Sequence, residues 1–286
     1  MVAAALGRAG AKLSGDRSCL WRIAGNEKWR SLCSGPAAKP PPHPTEEAET
    51  VDVQPERSKI LVLGGNGFVG SHVCREAVVR DIPVASLNRS GKPHIDEPWV
   101  NKVEWIRGNL IGPNTIGEHM KDVSAVISCV GGFGSNDTMR KINGDANVKA
   151  INAAADSGVK RFVYVSASDL GFASYILRGY FEGKKAAENA VMSRFPYGGV
   201  ILRPGFIHGT RRVGSIQLPL GVIGTPLEMA FRNLKSMTRV PVLGNLVVPP
   251  VKVTSVAKAS IRSAVDNAVP PGVLDVWGIM RLGDHY

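Results

Sequence analysis

One stretch governs what this chain can fold into: Ser58-Lys-Ile-Leu-Val-Leu-Gly-Gly-Asn-Gly-Phe-Val-Gly-Ser-His72. The apolar run Ile60 to Leu63 is expected to be a buried parallel strand, and from Phe68 the apolar spacing becomes helical. Gly64, Gly67 and Gly70 punctuate the join as G-x-x-G-x-x-G. A turn of this kind needs glycine three times: for a tight reversal, for backbone close to a pyrophosphate, and for helix packed hard on strand. The first helical N–H groups and the positive end of the helix dipole then face the anion. Gly64, Gly65, Asn66, Gly67, Phe68, Val69 and Gly70 are therefore the expected phosphate cradle of a dinucleotide.

Beyond it, strands and helices alternate, which predicts an α/β fold of Rossmann type, with a doubly wound parallel sheet. The second strand, Pro83 to Asn88, runs into Asn88-Arg89-Ser90-Gly91. An acid at this place, about 20 residues past the glycines, would hold a ribose 2′-hydroxyl. None is present, and Arg89 with Ser90 suits a 2′-phosphate, so NADP(H) is expected in preference to NAD(H), which stays possible. A third strand, Val103 to Arg107, leads to Asn109 and Leu110, expected along the adenine. A fourth, Ala125 to Val130, ends at Gly131-Gly132-Phe133-Gly134, so Val130 and Gly131 are expected beneath the nicotinamide-side ribose. A long helix carrying Asn143, Asn147 and Asn152 follows, with Ala150, Ala153 and Ala154 facing the sheet.

The strand Val159 to Ser168 presents Ser166 and Ser168 on one face of its end. Next comes Tyr180-Phe-Glu-Gly-Lys184, with Tyr180 and Lys184 one helical turn apart. A lysine ammonium beside a phenol lowers the phenol's pKa, so the tyrosine can exchange a proton with a substrate oxygen while hydride moves at carbon. A serine at the strand end can hydrogen-bond the same oxygen. Spacing does not separate Ser166 from Ser168; we take Ser168, with Tyr180 and Lys184, as the catalytic set, Lys184 also reaching the cofactor.

The succession of the glycine motif, Arg89-Ser90, Val159-Lys-Arg-Phe-Val-Tyr-Val-Ser-Ala-Ser168, Tyr180-x-x-x-Lys184-x-x-x-Glu188, Ile201-Leu-Arg-Pro-Gly205 and His208-Gly209 resembles the extended or atypical short-chain dehydrogenase/reductases, which are epimerase/dehydratase-like. The resemblance spans residues 58–286. It is greatest for a mitochondrial branch containing the Rossmann-fold accessory subunit of complex I and a reductase-like protein of coenzyme Q biosynthesis. It implies NADP(H) binding and membership of a mitochondrial multiprotein complex related to coenzyme Q or complex I. Three positions depart from the family pattern. Asn109 stands where many relatives carry Asp, Val253 to Ala257 lacks a common Asp, and Gly183 replaces the usual Ser and is expected to loosen its helix. The departures weigh toward nucleotide binding over turnover.

Residues 1–35 are rich in Ala, Arg, Ser and Gly and carry six cations against Asp16 and Glu27, a net of +4 out of the +11 of the whole chain. That composition is expected of a mitochondrial transit peptide leading to the matrix side, with a plastid as the alternative. Residues 36–57, with Pro40-Pro41-Pro42-His43-Pro44 and an acidic cluster, form a linker, and the folded domain is expected to begin near Ser58. No lysine run or aromatic-spaced basic patch points to nucleic acid. The four cysteines show no metal-ligand spacing, and Cys74 and Cys129 are expected to be reduced core thiols. A small substrate lid is expected over residues 206–252. Its apolar run, Leu218 to Phe231, is broken by Pro219, Gly221, Gly224 and Pro226 and preceded by Arg211-Arg212, which suits a hydrophobic, partly anionic ligand or a peripheral contact with the inner membrane. A helix over Val256 to Asp266 and an edge strand over Val273 to Trp277 complete the expected order.

Overall fold

The structure, a computed structural model, describes residues 59–93, 97–112, 116–169, 177–213, 216–219 and 248–284, without the side chains of 211–213 and 216–219. The expected transit peptide, the linker and residues 220–247 of the expected lid lie outside the described residues.

The central sheet contains β1 (Lys59–Leu63), β2 (Val84–Asn88), β3 (Glu104–Arg107), β4 (Val123–Ser128), β5 (Arg161–Val165), β6 (Gly199–Leu202) and a last strand, Gly272–Leu274. All seven are parallel, in the spatial order β3-β2-β1-β4-β5-β6 followed by Gly272–Leu274. The strands are apolar on both faces because both faces are covered. Ile60, Val62, Ala125, Ile127, Val163 and Val165 face α1 (Phe68–Val79) and a late helix, Val253–Val265. Leu61, Leu63, Val126, Phe162 and Tyr164 face the opposite layer. That layer consists of α2 (Asn136–Arg140), a single π turn (Lys141–Asp145), α3 (Ala146–Asp156) and α4 (Arg178–Arg194). The strand order reverses between β1 and β4, and the crevice at such a reversal is where doubly wound sheets bind ligands.

Past β6, β7 (Ile207–His208) pairs in parallel with a short strand, Val251–Lys252, and β8 (Thr210–Val213) pairs with β9 (Ile216–Pro219) as an antiparallel hairpin. Val251–Lys252 is β10, Val253–Val265 is α5 and Gly272–Leu274 is β11.

Two expectations are corrected here. The last edge strand ends at Leu274, and Trp277 belongs to α6 (Val276–Asp284). Asp275 starts that helix, its Oδ1 accepting the Gly278 N–H at 2.7 Å, which satisfies an otherwise orphaned helical donor. Gly183 does not loosen α4. A Cβ there would lie 2.8 Å from the Gly144 nitrogen, and one on Gly144 would lie 3.0 Å from the Gly183 Cα. The two glycines let α4 and the π turn touch backbone to backbone. Gly179, one turn earlier, brings α4 equally close to Asn136, whose Oδ1 accepts the Gly179 N–H.

Candidate functional site

The expected cradle closes around the β1–α1 turn. Gly64 has φ +85°, a conformation that only glycine adopts cheaply. A Cβ on Gly70 would stand 2.2 Å from the Gly64 carbonyl oxygen, and one on Gly65 would stand 2.0 Å from the Ser86 hydroxyl. Gly67 is exposed and precedes the first turn of α1, so its backbone is open to a ligand. Phe68 and Val69 begin α1 and are half-buried.

Asn66 ties the cradle to the end of β2. Its Nδ2 donates to Asn88 Oδ1, Ser90 Oγ and the Gly91 carbonyl at 3.1, 2.8 and 2.7 Å. Asn66 Oδ1 and Asn88 Nδ2 are buried with no protein partner, an acceptor and a donor beside the glycine turn. Buried polar atoms are almost always satisfied, so this pair fits a bound polar group. Asn88 is the residue that sequence reasoning passed over as merely not acidic. Arg89 and Ser90 are exposed just beyond it. After β3, Asn109 is exposed and its Oδ1 accepts the Ile111 N–H, while Leu110 is buried.

Past β4, the loop at Val130 and Gly131 is held by two buried asparagines. Asn143 brackets Gly132, accepting its N–H at 3.2 Å and donating to its carbonyl at 2.8 Å. Asn147 Nδ2 reaches the carbonyls of Val130, Ile142 and Asn143, and its Oδ1 accepts from Ser128. The Ile142 and Asn143 carbonyls both lie in the π turn, a local irregularity often found at functional sites. Asn143 and Asn147 stand out in the sequence only by their spacing.

The structure brings Tyr180 and Lys184 together on α4. Lys184 is 6 % exposed, with Nζ 5.7 Å from the Tyr180 ring centre and 4.8 Å from that of Tyr164. Nζ donates to the Val165 carbonyl at 2.8 Å and lies 3.4 Å from that of Val130. Burial pulls the lysine down to about 8, only partly opposed by Cys129 and Glu188. Burial pushes the Tyr180 phenol above its ordinary value, the opposite direction to the lowering expected from Lys184. Phe133 stacks on Tyr180, with ring centres 5.1 Å apart and planes 8° apart.

The two serines part company. Ser166 is buried, and its hydroxyl donates to Glu188 Oε1 at 2.7 Å. Ser168 is half-buried and donates to the Arg203 carbonyl at 2.8 Å, so neither spends its proton on Tyr180. Glu188 takes Arg203 in a two-pronged pair, Nε–Oε1 2.8 Å and Nη2–Oε2 2.6 Å. Burial pushes Glu188 up, but Arg203 and Ser166 outweigh it and hold the carboxyl below its ordinary value. The motif residues Glu188 and Arg203 were legible in the sequence; their pairing between α4 and the end of β6 was not.

Comparison with known proteins agrees with this geometry. A family model described as NAD(P)H-binding matches residues 64–221. An uncharacterized chloroplastic protein of Arabidopsis thaliana is 41 % identical over 236 residues, covering 81 % of this chain and 76 % of that protein. MIOREX complex component 2 of Saccharomyces cerevisiae is 26 % identical, covering 78 % of this chain and 99 % of that protein. Among solved structures, the UDP-glucuronic acid 4-epimerase of Bacillus cereus in complex with NAD aligns with a TM-score of 0.52 over 76 % of both chains. At 16 % identity that likeness speaks for the fold.

Proposed function

The chain belongs to the NAD(P)H-binding family of epimerase/dehydratase-like short-chain dehydrogenase proteins, and from that premise we propose that it works chiefly by holding NADP(H) as a component of an organellar protein complex. The observation that carries this is a contrast within one site. The glycine turn has its glycine-only close contacts and two buried amide atoms with no protein partner, while Ser166, Ser168 and Lys184 bond to groups other than the Tyr180 hydroxyl. Lys184 is bonded to backbone carbonyls, the Tyr180 phenol is pushed up, and both serine protons are spent elsewhere.

Gly64 to Gly70 would hold the pyrophosphate, Arg89 and Ser90 a 2′-phosphate with Asn88 Nδ2 beside them, Asn109 and Leu110 the adenine, and Val130, Gly131 and Lys184 the nicotinamide ribose. When bound, the nicotinamide supplies or accepts hydride. Retention by a complex is supported by the name of the yeast relative and its near-complete coverage. The mitochondrion is favoured by the leader composition, with a plastid as the alternative raised by the Arabidopsis relative. Within the mitochondrion we favour a role supporting ubiquinone biosynthesis or respiratory-complex assembly, on the resemblance of the motifs.

A second reading, an NADPH-dependent reductase of a hydrophobic quinone- or isoprenoid-related molecule acting through Ser168, Tyr180 and Lys184, is favoured by the placement of Lys184 over the Tyr180 ring. Two variants in cells lacking the native protein separate the readings. Gly67→Asp puts a carboxylate against the pyrophosphate and is expected to abolish the cellular role and complex retention, read as quinone level and native-gel mass. Tyr180→Phe is expected to preserve both. Loss of quinone with an intact complex in Tyr180→Phe would favour the reductase.

A further inference from the structure

Arg161 is a charge without a counter-charge. It opens β5 half-buried, and two carbonyls near the end of α5 fix its guanidinium, Nε donating to Ser263 at 2.8 Å and Nη2 to Val269 at 2.9 Å. Among the described residues it has no ion-pair partner. The carboxylate that acts on it from a distance, Asp266, bonds instead to Arg262 and to the Ala268 N–H. Burial pulls the guanidinium below its ordinary value, and Asp266 only partly opposes this. Charged side chains withdrawn from water are usually paired, so an unpaired one is a place for an anion.

The same side chain lines a cavity of about 510 Å³, built from the starts of β4 and β5 and from the turns that follow α1 and α5. The strands are parallel, so this cavity lies at the opposite end of the sheet from the nucleotide crevice. Lys160 lines it too; the lysine is exposed and has no partner among the described residues. Arg80, also in the lining, is already paired with Glu76 at 2.7 Å. Among the described lining residues Asp81 is the one acid, so with Arg80 set aside it faces two cations. Ile82, Pro83 and Val265 add apolar surface beside them.

The guanidinium also says what shape of anion it suits. Its side edge, Nε with one Nη2 hydrogen, is spent on the two carbonyls. Its end edge, Nη1 with the other Nη2 hydrogen, takes part in neither bond, and two parallel N–H groups match the two oxygens of a carboxylate. A cavity of this size holds a small organic molecule.

We propose that this cavity is a second ligand site, which takes a small organic carboxylate: the end edge of Arg161 and the Lys160 ammonium hold the charged group, while Ile82, Pro83 and Val265 cover an apolar body. The binding step forms and breaks no covalent bond, and the site is separate from that of the nucleotide.

The test titrates octanoate into the full chain by calorimetry, with octan-1-ol and inorganic phosphate as comparison ligands and NADPH titrated separately. Wild type is expected to bind octanoate at least about tenfold more tightly than the alcohol, the worth of one charge-assisted hydrogen bond. Phosphate, which has the charge but no apolar body, should not displace it. Lys160→Ala leaves both anchors of Arg161 in place and should weaken octanoate about three- to tenfold, and Lys160→Glu should weaken it further. Arg161→Lys keeps the charge but loses the paired N–H groups, and should cost more than Lys160→Ala. NADPH affinity should be unchanged in the Lys160 variants, and saturating NADPH should leave octanoate binding as it was. Absence of octanoate binding to wild type, equal binding of the alcohol, displacement by phosphate or by NADPH, or unchanged affinity in both Lys160 variants would each overturn the site.

Discussion

At the scale of single residues, the proposed preference for NADP(H) rests on a neutral side chain at the end of β2. Asn88 stands where an acid would repel the proposed 2′-phosphate, and Arg89 next to it is exposed. A charge-assisted bond from an exposed arginine is worth about 1.5 kcal/mol, or roughly tenfold in affinity. Arg89→Ala is therefore expected to weaken NADPH about tenfold and to leave NADH nearly untouched in parallel fluorescence titrations. Equal losses would sink the assignment to the 2′-phosphate. Asn88→Asp is expected to reverse the preference, by adding a charge beside that phosphate. The composition of this turn was plain in the sequence, but the unpartnered Nδ2 of Asn88 was not, because its neighbours come from the glycine loop 22 residues earlier.

Among elements, those set by local pattern were legible and those set by contact were not. The strands β1, β4 and β5 announce themselves as apolar runs, and α1 as the helix after a glycine turn. The helix α6 was missed because Val276-Trp277 reads as strand until Asp275 is seen capping it. Gly183 was misread for the same kind of reason: glycine weakens an isolated helix, but here its missing Cβ is the contact with Gly144. The two effects have opposite signs and can be weighed. Gly183→Ala gains about 1 kcal/mol in helix propensity and loses about 1–3 kcal/mol to overpacking. With the Gly144 nitrogen only 2.8 Å from the new Cβ, the loss should win. A net destabilisation of up to about 2 kcal/mol in urea unfolding is expected, and a stabilised variant would contradict the close crossing.

For the molecule as a whole, the buried lysine makes stability depend on pH in a definite direction. Burial holds Lys184 at about 8 against an ordinary 10.5, so between those values the unfolded chain carries the extra proton and stability rises with pH. Below about pH 8 the full cost of the buried charge is present, on the order of 3 kcal/mol. Lys184→Met should thus unfold later than wild type at pH 7, and the gap should close by about pH 10; a gap that is constant with pH would mean that the lysine is not held in this way. Topology has a consequence for how the chain is made. The inner face of α1, Val73, Cys74 and Ala77, is covered by α5, which ends at Val265. The helix that opens the phosphate cradle is synthesised early and waits for a partner roughly 190 residues behind it, or about 10–40 s of translation. Through that interval the part of its apolar face that α5 covers lacks its native partner, so ribosome-bound chains stopped before residue 250 should recruit holding chaperones, and chains released past α5 should let them go.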